Sequence, residues 1–217
     1  MKMAKQVVMI FCAHPDDDVI GAGATMAKYT KEGKRVITII FSYGEGSHPW
    51  LKKRVTAETR VSEAKKAGKI LGVKEIIFLG VKDTQVAQHG KKLKIEKKIM
   101  GLIKKYNPNK IFTHSKDDPW PDHQAVYDII TKVLKRIRFG GDVYSFGIWN
   151  PFSVRERNLP KLVVDVSDSF KFKRKALACY ESQKFTLLTL IPFIYSKAVI
   201  NGINNNVRFA EVFYKIR

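Results

Sequence analysis

The stretch VVMIFCAHPDDD, residues 7–18, decides the fold because it places an apolar run directly before a cluster of acidic residues. Val7–Cys12 is continuous in its hydrophobicity, which is typical of a strand buried on both faces of a parallel sheet. His14 and three successive aspartates, residues 16–18, follow at once. Like charges crowded together repel one another unless a cation or a shared proton relieves them. The stretch therefore predicts a core strand with a metal-binding loop at its carboxyl end.

Strands and helices alternate along the rest of the chain, which predicts an α/β, Rossmann-like, mostly parallel sheet flanked by helices on both faces. Residues 1–217 are expected to form one domain, because this length suits a single core and we see no linker or repeat. The predicted strands are Val7–Cys12, Arg35–Phe41, Glu75–Leu79, Lys110–His114, Asp142–Trp149, Lys161–Val166 and Arg208–Tyr214. The predicted helices are Val19–Glu32, Thr56–Leu71, Leu93–Tyr106, Ala125–Ile137 and Phe170–Ser182.

A second pair of polar residues, Asp122-His123, follows a predicted strand in the same way as the first cluster. Ligands bind at the carboxyl ends of the strands in sheets of this kind. Both clusters fall there, so the pattern predicts a His/Asp/His metal site with one acid left over for catalysis.

The motifs of the chain resemble those of the LmbE/PIG-L family of zinc-dependent N-acetylglucosamine deacetylases. The resemblance covers nearly the whole chain and its motifs occur in the family's order. They are Ala13-His14-Pro15-Asp16-Asp17, Arg60-x-x-Glu63 leading to Leu71-Gly72-Val73, Phe78-Leu79-Gly80 with Asp83, Thr113-His114-Ser115 through Pro121-Asp122-His123-Gln124-Ala125-Val126, Lys175-Ala176-Leu177 with Tyr180 and Ser182-Gln183, and Arg208-Phe209-Ala210-Glu211-Val212-Phe213.

The resemblance implies a zinc site held by His14, Asp17 and His123, although other divalent metals also suit such a ligand set. It implies that Asp16 is the general base that removes a proton from water as the water attacks an acetamide carbonyl. Arg60 and Asp83 are expected to bind the sugar. The implied substrates are small thiol conjugates, chito-oligosaccharides or inositol phospholipids that carry N-acetylglucosamine, and the implied product is acetate.

The chain departs from the family at Trp120, where the usual pattern has a histidine that stabilises the oxyanion of the tetrahedral intermediate. An indole N–H donates a hydrogen bond but carries no charge. Trp120 is expected to line the substrate site, and His114 and Asp122 are candidates for the oxyanion role or for outer-shell support. The alternative to a working enzyme is a weakened relative that only binds a sugar or a metal.

Simpler interpretations remain open for several of these residues. Asp18 is expected to cap the first helix, where negative charge is favourable. Arg60 has Glu63 as an alternative partner on its own helix, and Asp83 suits a turn. His48 and His89 lie in polar segments, and no role beyond pocket lining is assigned to them.

Charge and hydropathy suggest further partners. The net charge is +20, which attracts polyanions, but the lysines are scattered and no nucleic-acid-binding motif is present, so a nucleic-acid partner is not expected. The apolar segment Phe185–Ile200 contains Pro192 and Lys197 and is short for a membrane span. It is interpreted as a core or subunit-contact segment of a homo-oligomer, or as a hydrophobic lip that docks on an anionic membrane surface. Two isolated cysteines favour a cytoplasmic protein, with peripheral membrane attachment as the alternative.

Overall fold

One seven-stranded sheet runs through the protein, whose computed structural model describes residues 6–149 and 158–217. The strand order is β3-β2-β1-β4-β5-β7-β6, and only β7 runs antiparallel to its neighbours. The strands are β1 (Val7–Cys12), β2 (Arg35–Ser42), β3 (Glu75–Val81), β4 (Lys110–His114), β5 (Asp142–Phe146), β6 (Lys161–Asp165) and β7 (Ala210–Lys215). This arrangement confirms the predicted α/β fold.

Helices cover both faces of the sheet. They are α1 (Asp17–Lys31), α2 (Lys53–Leu71), α3 (Val86–Lys92), α4 (Ile95–Tyr106), α5 (Pro121–Arg136), α6 (Phe170–Leu177) and α7 (Lys184–Ile203), with a 3₁₀ helix at Glu181–Gln183. Two hydrophobic clusters result, one beneath α1, α2, α6 and α7 and the other beneath α3, α4 and α5. Strand β1 lies between them, because Val8 and Ile10 pack into the first cluster while Met9 and Phe11 pack into the second.

Local signals explain several element boundaries. Helix α2 ends at Gly72, whose φ of 74° is the left-handed conformation that glycine adopts most readily. Helix α5 begins with Pro121. Proline suits this position because the first N–H groups of a helix have no partner within it, and proline lacks an N–H. Helix α1 carries Asp17 and Asp18 in its first turn, where acidic side chains interact favourably with the helix dipole.

Several elements differ from the prediction in their bounds, and not every helix was predicted. Strand β5 ends at Phe146 instead of Trp149, because the N–H groups of Ile148 and Trp149 donate to the carboxylate of Asp118 instead of to a strand. The helix predicted over Phe170–Ser182 ends at Leu177 and is followed by a turn. Helix α3 was not predicted, since its sequence is polar and short.

The apolar segment Phe185–Ile200 lies in α7, a continuous helix that includes Pro192. The helix over residues 181–203 is long and apolar enough to cross a membrane. In its most apolar 18-residue stretch, 22% of the residues are buried in the protein. One helix of this kind is a weak indication of a membrane span, because the core helix of a soluble protein meets the same criteria.

Candidate metal centre and active site

The topology of the sheet brings the two polar clusters together. Strands β1 and β4 are neighbours at the point where the strand order reverses, which is the usual binding position in open α/β sheets. His14 lies just beyond β1, and His123 lies in the first turn of α5 after β4. They share a cavity of about 450 Å³ with Asp16, Asp17 and Arg60.

His14, Asp17 and His123 present three donor atoms to one another, and we call these residues the ligand cluster. The Nδ1 atom of His14 lies 3.3 Å from Nε2 of His123 and 3.4 Å from Oδ2 of Asp17. The Nε2 atom of His123 lies 3.4 Å from Oδ1 of Asp17. Zinc–ligand bonds of about 2.0–2.2 Å in a tetrahedral site separate adjacent ligand atoms by about 3.3–3.6 Å. The residues present therefore fit a divalent metal.

The charges of the ligand cluster are strongly coupled. Burial alone would lower the pKa of His123, but Asp17 and Asp118 outweigh burial and raise this pKa to about 9. Burial likewise opposes the effect of Asp122, Asp17 and Asp83 on His14, whose pKa is raised well above its usual value. Burial would raise the pKa of Asp17, but His123 and His114 hold it well below the usual value. Because a metal needs deprotonated ligands, a cation that binds here displaces the protons that balance Asp17.

Asp118 supports His123 from behind, and the sequence analysis missed it. Its Oδ1 atom lies 2.9 Å from Nδ1 of His123, which leaves Nε2 facing the ligand cluster. Its Oδ2 atom accepts hydrogen bonds from the backbone N–H groups of Ile148 at 3.0 Å and Trp149 at 3.3 Å. A carboxylate in this position orients a metal-binding histidine and fixes its tautomer. The sequence contained one signal for this supporting role, because the loop that leads to His123 contains acidic residues in addition to Asp122.

His114 lies behind the ligand cluster and not in the cavity. It is fully buried, its Nε2 atom accepts a hydrogen bond from Ala13 N–H at 3.0 Å, and its ring stacks on that of His123 at 4.0 Å. Burial and the nearby His123 lower the pKa of His114 to about 4, despite the opposing effect of Asp17. A neutral, enclosed imidazole cannot swing toward substrate as an oxyanion donor. Of the two roles expected for His114, this position favours outer-shell support over the oxyanion role.

Asp83 and Asp122 approach His14 from its other side. Oδ1 of Asp83 lies 3.1 Å from Nε2 of His14, and Oδ2 of Asp83 accepts a hydrogen bond from Gly46 N–H at 2.8 Å. Asp122 accepts backbone hydrogen bonds from Thr84 at 2.8 Å and from Val86 at the start of α3 at 3.1 Å. Asp83 lines the cavity, as expected of a substrate-binding residue, but it also orients His14. Asp122 fastens the β3–α3 loop to the site.

Asp16 forms a buried ion pair with Arg60, with Oδ1 of the acid 2.8 Å from a guanidinium nitrogen. The alternative pairing of Arg60 with Glu63 is wrong, because Glu63 accepts hydrogen bonds from the backbone and hydroxyl of Ser182. Gly44 makes room for the pair: its φ is 66°, and a Cβ atom there would lie 2.5 Å from the guanidinium. Arg60 therefore holds the candidate base in a fixed orientation at the edge of the cavity.

Asp18 does not cap the first helix. Asp16 occupies the N-cap position of α1, without a capping side-chain hydrogen bond, and Asp18 lies inside the first turn. Its carboxylate is buried and accepts a hydrogen bond from Val19 N–H at 2.9 Å. Burial raises the pKa of Asp18 to about 7, against the lowering effects of the nearby Thr38 hydroxyl and of the Val19 N–H. The expectation failed because the helix begins two residues earlier than predicted.

Two indoles stand at the mouth of the cavity, and we call Trp120, Trp149 and the first two turns of α7 the rim. Trp120 is 47% exposed, and its ring centroid lies 5.9 Å from that of Trp149 at an angle of 53°. Helix α7 contributes Thr186 and Leu190 to the cavity wall. The rim therefore offers flat aromatic and apolar surfaces beside a charged interior.

Comparison with known proteins identifies the family. The family model described as "PIG-L: GlcNAc-PI de-N-acetylase" matches residues 9–134. The chain belongs to this family. The match spans every candidate site residue from His14 to His123, whereas α6, α7 and β7 lie beyond it.

Individual relatives are deacetylases that act on N-acetylglucosamine-type substrates. The chain is 29% identical to a diacetylchitobiose deacetylase of Thermococcus kodakarensis, over 91% of this chain and 78% of that protein. It is 26% identical to a probable N-acetyl-alpha-D-glucosaminyl L-malate deacetylase of Bacillus cereus, over 86% of this chain and 87% of that protein.

Solved structures share the fold at lower identity. An N,N'-diacetylchitobiose deacetylase from Pyrococcus horikoshii superposes with a TM-score of 0.81 at 23% identity, covering 97% of this chain and 84% of that one. A 4-carboxy-2-hydroxymuconate hydratase from Pseudomonas putida gives a TM-score of 0.82 at 18% identity, covering 98% and 96%. Since a hydratase has the same fold, the fold alone does not determine the reaction, and the site residues must carry that argument.

Proposed function

We propose that the protein is a zinc-dependent N-deacetylase that hydrolyses the acetamide of an N-acetylglucosamine-type group and releases acetate. The observation that carries the proposal is the spacing of the donor atoms of His14, Asp17 and His123, with Asp16 in the same cavity. The family match and the deacetylases among the relatives support this reaction. A small-molecule or glycolipid N-acetylglucosaminyl conjugate is the proposed substrate.

The ligand cluster would hold the zinc ion, which supplies Lewis-acid polarisation of a carbonyl and activation of water when it is bound. Two histidines and one carboxylate are a donor set found in catalytic zinc sites. Asp118 orients His123 and Asp83 orients His14 through the contacts described above, and the ring of His114 stacks on that of His123.

Asp16 is the proposed proton carrier. As water adds to the acetamide carbon, the Asp16 carboxylate accepts a proton from that water. When the C–N bond breaks, the same carboxyl group returns the proton to the amine nitrogen, so that an amine and acetate leave. Arg60 fixes the orientation of this carboxylate through the 2.8 Å ion pair. A positioned base of this kind contributes about 100- to 10,000-fold to rate.

Acetate release tests the proposal. N-acetylglucosamine, diacetylchitobiose and an N-acetylglucosaminyl-inositol lipid are each incubated with the zinc-loaded protein. We expect release from at least one of them by the wild type and a loss of at least about 100-fold in Asp16→Asn. Asp128→Asn is the matched control, since it neutralises an exposed aspartate on α5.

Two results would contradict the proposal. Release that Asp16→Asn leaves unchanged would exclude Asp16 as the proton carrier. Absence of release from all three substrates by a protein that binds zinc would favour the second candidate, a sugar- or metal-binding relative without catalysis. The observation that favours this second candidate is Trp120, which stands where the family's oxyanion histidine is expected.

We also propose a cytoplasmic location. The two cysteines, Cys12 and Cys179, are both free, and Cys12 is buried. A protein without disulfides suits a reducing compartment.

A further inference from the structure

Helix α7 is apolar on the side that faces away from the protein as well as on the side that packs. Its inner residues, Leu187, Leu190 and Ala198, are buried in the first hydrophobic cluster. Most of its other apolar residues are exposed: Phe185 is 86% exposed, Phe193 60% and Ile203 69%. A surface helix normally places polar residues on its outer side. The outer side of α7 therefore differs from that of an ordinary solvated helix.

The exposed apolar residues of α7 share one side of the helix, and we call them the outer stripe: Phe185, Leu188, Phe193, Val199, Ile200 and Ile203. Their positions recur at helical spacing, so they lie within one arc of the helix surface. A helix of this length, 20 residues, spans about 30 Å. Large contiguous apolar patches on a protein surface usually mark an interaction site.

The charges around the outer stripe favour an anionic partner. No acidic residue occurs between Glu181 and Glu211, whereas Lys184, Lys197 and Arg208 lie in this interval. The guanidinium of Arg174, on α6, lies 5.6 Å from the ring of Tyr195 on α7. The whole chain carries a net charge of +20, so a second copy would be repelled while an anionic lipid surface would be attracted.

The outer stripe also lies beside the candidate active site. A second cavity, of about 220 Å³, lies beneath α7 and shares Ile20, Ile148, Trp149 and Leu190 with the cavity that contains the ligand cluster. Its wall includes Phe193 and Ile194 of α7 and Phe146 of β5. The wall also includes the ion pair of Lys173 and Glu211, so the cavity offers an apolar group that leaves a lipid surface at α7 a partly apolar space next to the site.

We propose that the outer stripe of α7 docks the protein on an anionic lipid bilayer and turns the active-site rim toward that surface. Apolar side chains enter the boundary between headgroups and acyl chains, and basic residues contact the anionic headgroups. If the proposed deacetylase function is correct, docking presents the site to an amphiphilic substrate whose apolar part occupies the second cavity. The docking itself does not depend on that function.

Vesicle flotation tests the docking without measuring activity. The zinc-loaded full chain is mixed with phosphatidylcholine vesicles, with or without phosphatidylglycerol, at low and at high salt. We expect binding to the anionic vesicles at low salt and weaker binding to the neutral ones. The combined variant Phe185→Ser, Phe193→Ser and Ile200→Ser should lower the fraction of protein bound to vesicles at least about tenfold. The reason is that the apolar area buried in the bilayer contributes to such binding together with charge. Val163→Ser, an exposed apolar residue on β6, is the control.

A second pair of variants separates docking at α7 from general attraction by charge. Lys184→Glu with Lys197→Glu and Lys97→Glu with Lys98→Glu change the net charge equally, but the second pair lies on α4, on the opposite face of the sheet. We expect the first pair to reduce binding several-fold more than the second. These lysines are not core residues, so this comparison stays informative if the triple variant is poorly folded.

Three outcomes would overturn the proposal. The first is that the wild type does not bind anionic vesicles at low salt. The second is that the α7 and α4 charge variants lose binding equally and that the folded triple variant binds like wild type. The third is a concentration-dependent dimer, detected by analytical ultracentrifugation, that the triple variant abolishes while no vesicle binding occurs; a second copy would then be the occupant. Acetate release from a soluble substrate by the wild type, measured without vesicles, would keep the proposed reaction intact in each case.

Discussion

The ligand cluster and the rim lie in one cavity but are held in different ways. His14 lies just beyond β1, and Asp17 and His123 lie in the first turns of α1 and α5. Carboxylates and imidazoles contact these three residues at 2.9–3.6 Å. The rim is formed by the exposed indole of Trp120, by the half-buried indole of Trp149 and by a helix that lies beyond the family match. The comparison teaches that the ligand cluster is fixed by many close polar contacts at the edge of the sheet, whereas the rim is more open and lies partly beyond the family match. Substitutions in the ligand cluster should therefore have larger effects than those at the rim.

The largest effect is expected from Asp17→Asn. This substitution removes the negative charge of the ligand cluster, which lies next to both His14 and His123. We expect loss of stoichiometric zinc binding in isothermal titration calorimetry and a fall of at least about 1000-fold in kcat/KM, because a catalytic metal supplies several kcal/mol of transition-state stabilisation. Asp128→Asn on α5 should bind zinc like wild type. Normal zinc affinity in Asp17→Asn would exclude this residue as a ligand.

The sequence predicted that the two polar clusters meet, because the segments that carry them follow apolar strands whose carboxyl ends lie at one edge of a parallel sheet. The choice of Asp17 among the three successive aspartates came from the family resemblance. The sequence did not predict the contacts that hold the cluster. The approach of Asp118 to His123 depends on a loop that also receives hydrogen bonds from the end of β5. The ion pair of Asp16 with Arg60 depends on α2 packing beside α1 and on the backbone of Gly44. These are long-range packing outcomes without a local signal.

The exposed side of α7 could not be predicted either. An apolar run such as Phe185–Ile200 has the same composition whether it lies in a core, in an interface or at a surface. Only the structure shows that Phe185 and Ile203 face outward while Leu187 and Leu190 are buried. Helix α3 escaped prediction for the opposite reason, because its anchor is a pair of backbone hydrogen bonds to Asp122 and not an apolar stripe.

The next effect concerns Asp18, which lies buried beside Asp17 in the first turn of α1. Its pKa is about 7 in the folded chain, against about 3.9 when unfolded. Between these values the folded state keeps a proton that the unfolded state releases, so this group's contribution to stability is complete below about pH 4 and is lost as pH rises to about 7. Asp18→Asn removes this dependence. In urea unfolding of chelator-treated protein, the variant should gain about 3 kcal/mol relative to wild type between about pH 4.5 and pH 7.

That prediction has a definite failure. A stability difference between Asp18→Asn and wild type that stays constant across this pH range would show that Asp18 is already ionised in the folded metal-free protein. Water would then reach the Asp18 carboxylate more readily than its 3% exposure suggests.

A smaller effect is expected from Asp118→Asn, which leaves all three ligands in place but removes the charge beside Nδ1 of His123. Outer-shell substitutions of this kind lower metal affinity by about 10- to 100-fold. The neighbouring substitution Asp117→Asn in the same loop is the matched control. Competition with a zinc chelator measures both affinities, and equal affinities would show that Asp118 only anchors the end of β5.

The smallest effect is expected at the rim, from Trp120→His. If the indole stands where an oxyanion donor belongs, an imidazole at this position should raise kcat by about tenfold, which is below the 100- to 1000-fold contribution of an optimally placed donor. Trp149→His is the matched control, because it makes the same change in the ring 5.9 Å away on the other wall. An increase in kcat for Trp120→His alone would show that the rim has replaced a catalytic group with a binding surface. A loss of substrate affinity in both variants without a gain in kcat would show that the two indoles act together as a sugar platform, and that the ligand cluster and Asp16 are sufficient for the chemistry.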